Sequence, residues 1–356
     1  MSSSRLHEVI SLLRPSDDEA IMVTNAADIR WLTGFTGSNG AVLVAGSRSV
    51  LFTDGRYTVQ AAIEAPSTEV RITSGSSEAN LIQHMVSLRP RRVWVQMEAV
   101  SFSLVESLKK QLPSVIPVDI ASVFSKLRAR KTSQEVGSIK TALAITEQTF
   151  SEVLPFIKEG ISENQLAAEI DYRQRVLGAE GSSFDTIVAF GPNSALPHAR
   201  PGGTLLQRGT PILMDFGCFV DGYASDMTRM VHFGPASSKF VSAYDAVHSA
   251  LQEASKRVST DMSGAELDGI ARQVLTKQGL GDLFSHSLGH GVGLEIHEWP
   301  GVSSRNKELL PSECVITLEP GVYLPGNFGI RIENMVHLSP KGIRTLNTLS
   351  TDLVIL

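Results

Sequence analysis

The sequence predicts two consecutive domains, an α/β domain followed by an α+β domain with pseudo-two-fold symmetry. The chain has 356 residues, which exceeds one typical domain and suffices for two. Strand-like runs alternate with helical patterns as far as about residue 120. Beyond about residue 133, two helical segments followed by a β-rich stretch occur twice. No strong residue-level repeat accompanies this order, so the predicted symmetry rests on the order of the elements alone.

The first part of the chain, 1–125, carries the signals of a three-layer α/β domain. A capped amphipathic helix is predicted over 4–13, because apolar residues recur at helical spacing before Pro15. Segment 28–40 is rich in turn residues. The remaining predictions are extended segments at 20–24, 41–44, 50–53, 70–73 and 93–95, and helices at 56–65, 78–88 and 102–112.

A basic segment, KLRARKTS at 126–133, marks the predicted domain boundary. We predict a linker over 126–132 and a second domain over 133–356. Its first two helices are predicted over 133–159 and 162–177, the latter beginning at a capping box formed by Ser162 and Gln165. Two further helices are predicted over 238–258 and 263–279, each pair preceding a β-rich section.

The composition excludes several classes of protein. The chain is 42% apolar and 19% charged with a net charge of −5, and this mild acidity argues against a nucleic-acid partner. No apolar run reaches the ~20 residues of a membrane helix, and the N-terminus lacks the apolar core of a signal peptide. Cys218 and Cys314 give no disulfide framework and fit a reducing compartment. A cytoplasmic protein that binds no membrane is therefore expected.

Two aspartates are predicted to lie on paired strands in apolar surroundings. Asp215 ends an apolar strand, and the glycines that follow predict a hairpin turn. The second strand is predicted to run from Tyr223 and to carry Asp226. Two buried carboxylates cannot both stay ionised unless something positive lies between them. These two residues alone are compatible with a hydrogen-bonded structural pair as well as with a metal site.

The C-terminal third adds one histidine and two glutamates in equally unusual surroundings. His290 lies in a glycine-rich stretch, which permits close backbone approach but provides no packing. Glu319 follows an apolar strand, and Glu333 lies between two isoleucines that should face the core. Each one alone could be an ion-paired strand residue or a turn residue, and the neighbouring Glu295 and Glu298 are expected to be turn or surface acids rather than metal ligands. Four carboxylates and one imidazole at strand ends together predict a common site.

Such a set suits a pair of divalent ions, Mn²⁺, Co²⁺ or Zn²⁺, better than a thiolate site would. Two ions ~3.5–4 Å apart need bridging acids, and they lower the pKa of bound water from ~15.7 toward ~7. Hydroxide then becomes available at neutral pH, and a carbonyl can be polarised. The corresponding reaction is hydrolysis of an amide, with His198, His297 and a ligand glutamate available for proton transfer.

The motifs around these residues resemble a known family. MDFG (214–217), ASDMTR (224–229), GHGVG (289–293), LEPG (318–321) and IRIEN (330–334) are similar, in this order, to the dinuclear metallopeptidases of the pita-bread fold. That family includes methionine aminopeptidase, prolidase and aminopeptidase P. The resemblance covers about 132–350 and implies two divalent ions per subunit. The implied metal ligands are Asp215, Asp226, His290, Glu319 and Glu333.

The resemblance also implies a role for each ligand. Asp215 would chelate one ion, while Asp226 and Glu333 would bridge the two. His290 and Glu319 would complete the shell of the other ion. Glu319 would, in addition, move the proton of the nucleophilic water.

Further positions are similar to the proline-specific branch of the family. His198 matches a histidine that contacts the substrate carbonyl or its proline, and His297 matches a second histidine on the substrate side. Arg331 could pair with a proline carboxylate, hold the site in shape or be a plain ion-pair partner. RWLTGF (30–35) and FTDGRY (52–57) resemble the N-terminal domain of creatinase and prolidase, which methionine aminopeptidase lacks.

The resemblance implies a metal-dependent hydrolase of the Xaa-Pro amide bond that uses a metal-activated hydroxide. We predict an Xaa-Pro dipeptidase (prolidase) that acts on dipeptides or short peptides. Aminopeptidase P, which acts on longer Xaa-Pro peptides with the same metals and proline pocket, remains an alternative. A metal-free creatinase-like hydrolase and a non-catalytic pita-bread binding module lack a full ligand set, whereas this chain has all five. The N-terminal domain is expected to form a homodimer, to close the cleft and to limit substrate length.

Overall fold

A computed structural model describes residues 2–356 and, within the first helix, the side chains from Arg5 onward. The chain divides into two units, one ending at Leu127 and the other spanning Arg128–Leu356. Among the described residues, none of the helices is both long enough and apolar enough to cross a membrane.

The first unit contains a six-stranded mixed sheet. Its strands are β1 (Glu19–Val23), β2 (Ala41–Ala45), β3 (Arg48–Asp54), β4 (Glu69–Thr73), β5 (Arg92–Val95) and β6 (Ile116–Asp119). The spatial order is β4-β3-β2-β1-β5-β6, with β2 antiparallel to both of its neighbours and the other neighbouring pairs parallel. All five residues of β1 are buried, so both faces of the sheet are covered.

Six helices accompany this sheet. They are α1 (Ser2–Leu13), α2 (Ala26–Thr33), α3 (Thr58–Glu64), α4 (Ser77–Leu88), α5 (Phe102–Gln111) and α6 (Ala121–Ala129). Leu81 of α4 and Leu108 of α5 share one hydrophobic core with Met22 and Leu43 of the sheet. The strand and helix alternation thus confirms the predicted α/β class of this domain.

Segment 28–40, although rich in turn residues, begins within helix α2. Asn25 caps this helix, because its side chain accepts a hydrogen bond from the Asp28 backbone N–H at 3.1 Å. Ile29 and Leu32 bury its apolar side, and Gly34 ends it at φ 87°. The cap and this burial outweigh the turn-rich composition.

The second unit repeats a simple order, two helices followed by strands. The helices are α7 (Ser133–Val153), α8 (Glu163–Val176), α9 (Ser238–Arg257) and α10 (Gly264–Lys277). The strands after α8 are β7 (Gly181–Ser182), β8 (Ile187–Phe190), β9 (Thr210–Phe216), β10 (Cys218–Val220), β11 (Tyr223–Ala224) and β12 (Met227–Phe233). Those after α10 are β13 (Gly289–Gly291), β14 (Glu298–Val302), β15 (Val315–Leu318), β16 (Gly321–Leu324), β17 (Phe328–Arg331), β18 (Asn334–Ser339), β19 (Gly342–Thr345) and β20 (Val354–Ile355).

Two sheets form the centre of this unit. One has the order β20-β12-β9-β8 and the other β14-β13-β15-β18-β19. Leu143 and Leu166, from α7 and α8, pack in one core, whereas Val247 and Leu267, from α9 and α10, pack in another. This arrangement confirms the predicted α+β class and its two-fold order of elements.

Basic residues of segment 126–132 are anchored within the second unit. Lys131 is only 3% exposed, and its ammonium donates to Glu298 at 3.1 Å. Arg128 donates to the same carboxylate and to Glu295 at 2.7 Å. Burial opposes ionisation of Glu298, but the charges of Lys131 and Arg128 outweigh it and lower its pKa. The expectation that Glu298 is a turn or surface acid was therefore wrong, because its carboxylate is buried and forms ion pairs with two buried cations.

Arg229 ties a late segment of the chain to the centre of the unit. This side chain is 2% exposed and donates to the backbone oxygens of Glu333, Leu349 and Ser350. Glu147 of α7 accepts hydrogen bonds from the backbone N–H groups of residues 348 and 349, at 2.7 and 2.9 Å. Strand β20 then lies parallel to β12. Segment 348–355 is thus attached to the interior of the unit through Arg229, Glu147 and β12, although its own residues are exposed or half-buried.

Candidate metal centre

The two aspartates come from neighbouring strands of one sheet. Asp215 is the penultimate residue of β9 and pairs with Thr228 of β12, whereas Asp226 directly precedes β12. The predicted single strand through Asp226 was wrong, because the β10–β11 hairpin pairs with β7 in a separate sheet and interrupts it. The backbone at Gly217 passes very close to that of Ser225, because a Cβ at Gly217 would lie 1.9 Å from the Ser225 carbonyl oxygen. Only glycine fits at this position.

His290 is presented by a strand that is unusually close to its neighbour. A Cβ at Gly289 would lie 2.0 Å from the Thr317 carbonyl oxygen, so only glycine fits there. The Nδ1 of His290 lies 3.1 Å from the Gly291 carbonyl oxygen. This contact favours a proton on Nδ1 and leaves Nε2 as the ligand atom. Nε2 lies 3.4 Å from Asp226 Oδ2 and 3.4 Å from Glu319 Oε1.

The donor set fits a divalent cation. Ligand atoms of Asp226, His290 and Glu333 lie within 4.8 Å of one another. Thr228 donates to Glu333 Oε2 at 2.9 Å, whereas Glu333 Oε1 and Asp215 Oδ1 are buried without a hydrogen-bond partner. Buried carboxylate oxygens that lack donors are poorly solvated unless a cation approaches them. Oxygen ligands with one imidazole suit the divalent ions that such a cleft would hold.

The carboxyl groups raise one another's pKa. Burial raises the pKa of Asp226, and the charges of Asp215 and Glu319 add to it. Burial and the charge of Asp226 likewise raise the pKa of Glu333. At Glu319, burial outweighs the opposing charges of His290 and Arg331, so its pKa is also raised. Each shift has the sign expected for acids crowded into a dry cleft, where a cation would restore the ionised forms.

Arg331 is a buried cation that lines this cleft. It is 3% exposed, and its terminal Nη2 donates to Asp215 Oδ2 at 2.5 Å. Its Nε donates to Thr228, and its Nη1 donates to Tyr323 Oη and to the Pro197 carbonyl oxygen. All three nitrogens are therefore engaged by the protein. These contacts favour the alternative in which Arg331 holds the site in shape.

One cavity of about 570 Å³ brings the predicted site residues together. All eight line it, namely His198, Asp215, Asp226, His290, His297, Glu319, Arg331 and Glu333. His198 and His297 are exposed at its wall, and the rings of His290 and His297 are 4.3 Å apart between centroids. Partial burial and the neighbouring histidines lower the pKa of His297. A second cavity, of about 560 Å³, is lined by none of the eight.

Several residues of this site were not identified from the sequence. Thr228, which contacts both Glu333 and Arg331, lies two positions after Asp226, and that spacing on a strand was an available signal. Phe184, Ile296 and Arg200 also line the cavity, and no motif marks them.

Comparison with protein families decides the classification. Residues 137–340 match the model of metallopeptidase family M24, and residues 5–130 match that of the creatinase/prolidase N-terminal domain. The chain belongs to metallopeptidase family M24. The predicted family and its pita-bread fold are thereby confirmed, and membership implies use of a divalent metal.

Individual relatives of this M24 chain are similar over their whole length. An Xaa-Pro dipeptidase of Pyrococcus furiosus is 30% identical over 351 residues, 98% of this chain and 99% of the relative. The structure of an Xaa-Pro dipeptidase from Bacillus anthracis has a TM-score of 0.93 at 32% identity, covering 100% of this chain and 99% of that one. An X-Pro aminopeptidase from Thermotoga maritima has a TM-score of 0.90 at 36% identity, covering 99% and 100%. Both domains are therefore shared with these proteins.

Proposed function

We propose that this M24 metallopeptidase hydrolyses the amide bond before proline and acts as an Xaa-Pro dipeptidase (prolidase). One observation carries the proposal: five ligand-type side chains and two exposed histidines line the same cavity. The names of the Pyrococcus and Bacillus relatives support dipeptides as substrates. The name of the Thermotoga protein supports the alternative, an aminopeptidase P that acts on longer Xaa-Pro peptides.

Five residues would hold two divalent ions, Mn²⁺, Co²⁺ or Zn²⁺. Asp226 and Glu333 would be ligands of both ions, Asp215 would be a ligand of one, and His290 and Glu319 would be ligands of the other. When bound, such ions lower the pKa of water toward ~7 and polarise a carbonyl. Support comes from the close approach of the ligand atoms of Asp226, His290 and Glu333, within 4.8 Å, and from the two buried carboxylate oxygens without donors.

The remaining groups have roles in holding the substrate and moving protons. Glu319, whose pKa is raised by burial, would take the proton of the attacking water on its carboxylate. His198 would donate a hydrogen bond to the scissile carbonyl oxygen as its negative charge grows. His297, whose pKa is lowered, would contact the proline side of the substrate. Arg331 would hold the Asp215 carboxyl group in position through their 2.5 Å contact.

The proposal is tested by comparing Ala-Pro with Ala-Ala as substrates of the metal-loaded protein. We expect hydrolysis of Ala-Pro with Ala-Ala hardly cleaved, because an enzyme specific for the amide before proline gains its orientation of that amide from contacts to the proline ring, which Ala-Ala lacks. His198→Ala should lower kcat by roughly 10²–10³-fold, the usual effect of losing one donor to a developing oxyanion. Its metal content should equal that of wild type. Equal rates on both dipeptides would contradict the proline specificity, and metal loss in His198→Ala would contradict the role of His198.

We also propose a homodimer formed through the N-terminal domain, which would limit substrate length from the partner's side. The match of residues 5–130 to the creatinase/prolidase N-terminal domain supports a separate function for this unit. Sedimentation of the intact protein should give the mass of a dimer, and a monomer would contradict the proposal. A cytoplasmic location is proposed because both cysteines are free and buried, as suits a reducing compartment.

A further inference from the structure

One cation in the wall of the catalytic cavity has no role in the proposed metal binding, substrate contacts or proton transfers. Arg200 lines the cavity and is exposed. It forms no ion pair or hydrogen bond with any residue that the structure describes, in contrast to Arg331, whose three nitrogens are all engaged. Asp185, an exposed acid of the same cavity, is not paired with Arg200 either. The Arg200 guanidinium is therefore available to a ligand.

Arg200 directly follows the turn that carries His198. The Ala199 backbone N–H donates to the Leu196 carbonyl oxygen at 3.1 Å, so His198 lies within a turn that ends at Ala199. Pro201 follows and disfavours a helical conformation at Arg200. His198 and Arg200 are both exposed and both line the cavity, whereas Ala199 is only 4% exposed. Arg200 is thus two residues along the chain from the histidine proposed to contact the scissile carbonyl, in the wall of the same cavity.

The segment that carries both residues is held at its two ends. The Pro197 carbonyl oxygen accepts a hydrogen bond from Arg331 at 3.1 Å. The Gly202 N–H donates to Glu163 at 3.0 Å, and this buried carboxylate also accepts from the Phe190 N–H at 2.8 Å. Arg200 is therefore presented from a fixed backbone rather than from a free loop.

A dipeptide creates a specific electrostatic problem in this cavity. Its carboxylate lies one residue beyond the scissile carbonyl, in a cleft that already contains the carboxylates of the metal site. A carboxylate that leaves water needs a cationic or hydrogen-bonding partner, and a guanidinium can offer two parallel N–H groups. A longer peptide presents a neutral amide at that place and gains nothing from such a partner.

We propose that Arg200 binds the C-terminal carboxylate of an Xaa-Pro dipeptide and thereby selects dipeptides over longer peptides. The inference rests on the proposed function and assigns its substrate class. Arg200 is a specificity-determining residue in this view, and it takes no part in the proton transfers.

The test compares Ala-Pro with its C-terminal amide, Ala-Pro-NH₂, in wild type and in Arg200→Gln. Arg200→Gln should lower kcat/KM on Ala-Pro by roughly 10–100-fold, the effect expected for a lost hydrogen bond to a charged group, while the amide is affected far less. Arg200→Lys should recover part of the loss, since it keeps the charge but not the two-pronged geometry. Arg208→Gln is the matched control, because Arg208 is also exposed but does not line this cavity.

A binding measurement gives a second readout. L-Proline should raise the melting temperature of wild type and of Arg208→Gln but not of Arg200→Gln, and L-prolinamide should raise none of them. Equal losses on Ala-Pro and its amide, or no loss on either, would overturn the assignment of Arg200. If wild type cleaves Ala-Pro, and Arg200→Gln still prefers Ala-Pro over Ala-Pro-NH₂ as strongly as wild type does, only the inference about Arg200 is overturned. Wild type that cleaves no Xaa-Pro substrate would overturn the proposed function and the inference together.

Discussion

Removal of the divalent ions is expected to abolish peptide hydrolysis, and Asp226→Asn is expected to do so even with metal supplied. Asp226 is 5% exposed, and its ligand atom lies within 4.8 Å of those of His290 and Glu333. The neutral amide of Asp226→Asn would therefore weaken the binding of both proposed ions. Without the ions, water keeps a pKa near ~15.7, and the rate at pH 7 should fall by more than ~10³-fold. Re-addition of Mn²⁺, Co²⁺ or Zn²⁺ should restore wild type but not Asp226→Asn.

Elemental analysis alongside an Xaa-Pro assay measures both parts of this expectation. Asp282→Asn is a suitable control, because Asp282 is an exposed acid of the same unit and does not line the cavity. Metal should also raise the melting temperature of wild type, since an ion that binds only the folded state stabilises it. Full activity in a preparation shown to be free of metal would exclude the proposed mechanism.

Glu298→Gln is expected to destabilise the second unit strongly. The Glu298 side chain is 4% exposed and pairs with Lys131 and Arg128, whose side chains are 1% and 7% exposed. Loss of the acid leaves buried positive charge uncompensated, which typically costs about 3–5 kcal/mol. For a unit of this size, the melting temperature should fall by roughly 6–20 °C. Glu295→Gln removes a partner of the same Arg128, but its side chain is 48% exposed, so a cost below about 1 kcal/mol is expected.

The effect of Glu298 should depend on pH in a definite direction. The pKa of Glu298 is lowered in the folded protein, so its stabilisation is complete above the unfolded value, near 4.5, and is lost as pH falls through the folded value. The difference in free energy of unfolding between wild type and Glu298→Gln should therefore be larger at pH 7 than at pH 3.5. Urea unfolding at the two pH values measures this. An equal difference at both, or one no larger than that of Glu295→Gln, would show that the ion pairs contribute little.

The elements that carry the candidate site could be predicted because their signals are local. Ser162 and Gln165 form the predicted capping box at the start of α8, and the apolar run 315–318 is strand β15. The five ligand-type residues stand out by the pairing of acids or histidine with glycine, proline or buried strand residues nearby. Such signals lie within a few residues of sequence, so they can be recognised without knowing which distant segment of the chain each element contacts.

The features that escaped prediction depend on contacts between distant parts of the chain. Glu298 is buried because Arg128, 170 positions earlier, donates to it. Asp226 lies between two strands because the β10–β11 hairpin finds its partner in β7. Arg200 carries no motif, and it was recognised only because it lines the cavity and has no ion-pair or hydrogen-bond partner among the described residues. Periodicity and capping cannot reveal pairings of this kind.

Residues 348–350 are the last part of the chain that the metal site needs during protein synthesis. They accept hydrogen bonds from Arg229 and donate hydrogen bonds to Glu147. The same Arg229 also donates a hydrogen bond to the Glu333 carbonyl oxygen. While the ribosome still encloses 348–355, the Arg229 guanidinium lacks two of its acceptors, the carbonyl oxygens of Leu349 and Ser350, and β12 lacks its parallel neighbour. A nascent chain of this length would expose Asp215 and Asp226 well before Arg229, which contacts the Glu333 backbone, has gained all of its acceptors. We therefore expect the metal site to reach its final geometry only after these late residues have emerged.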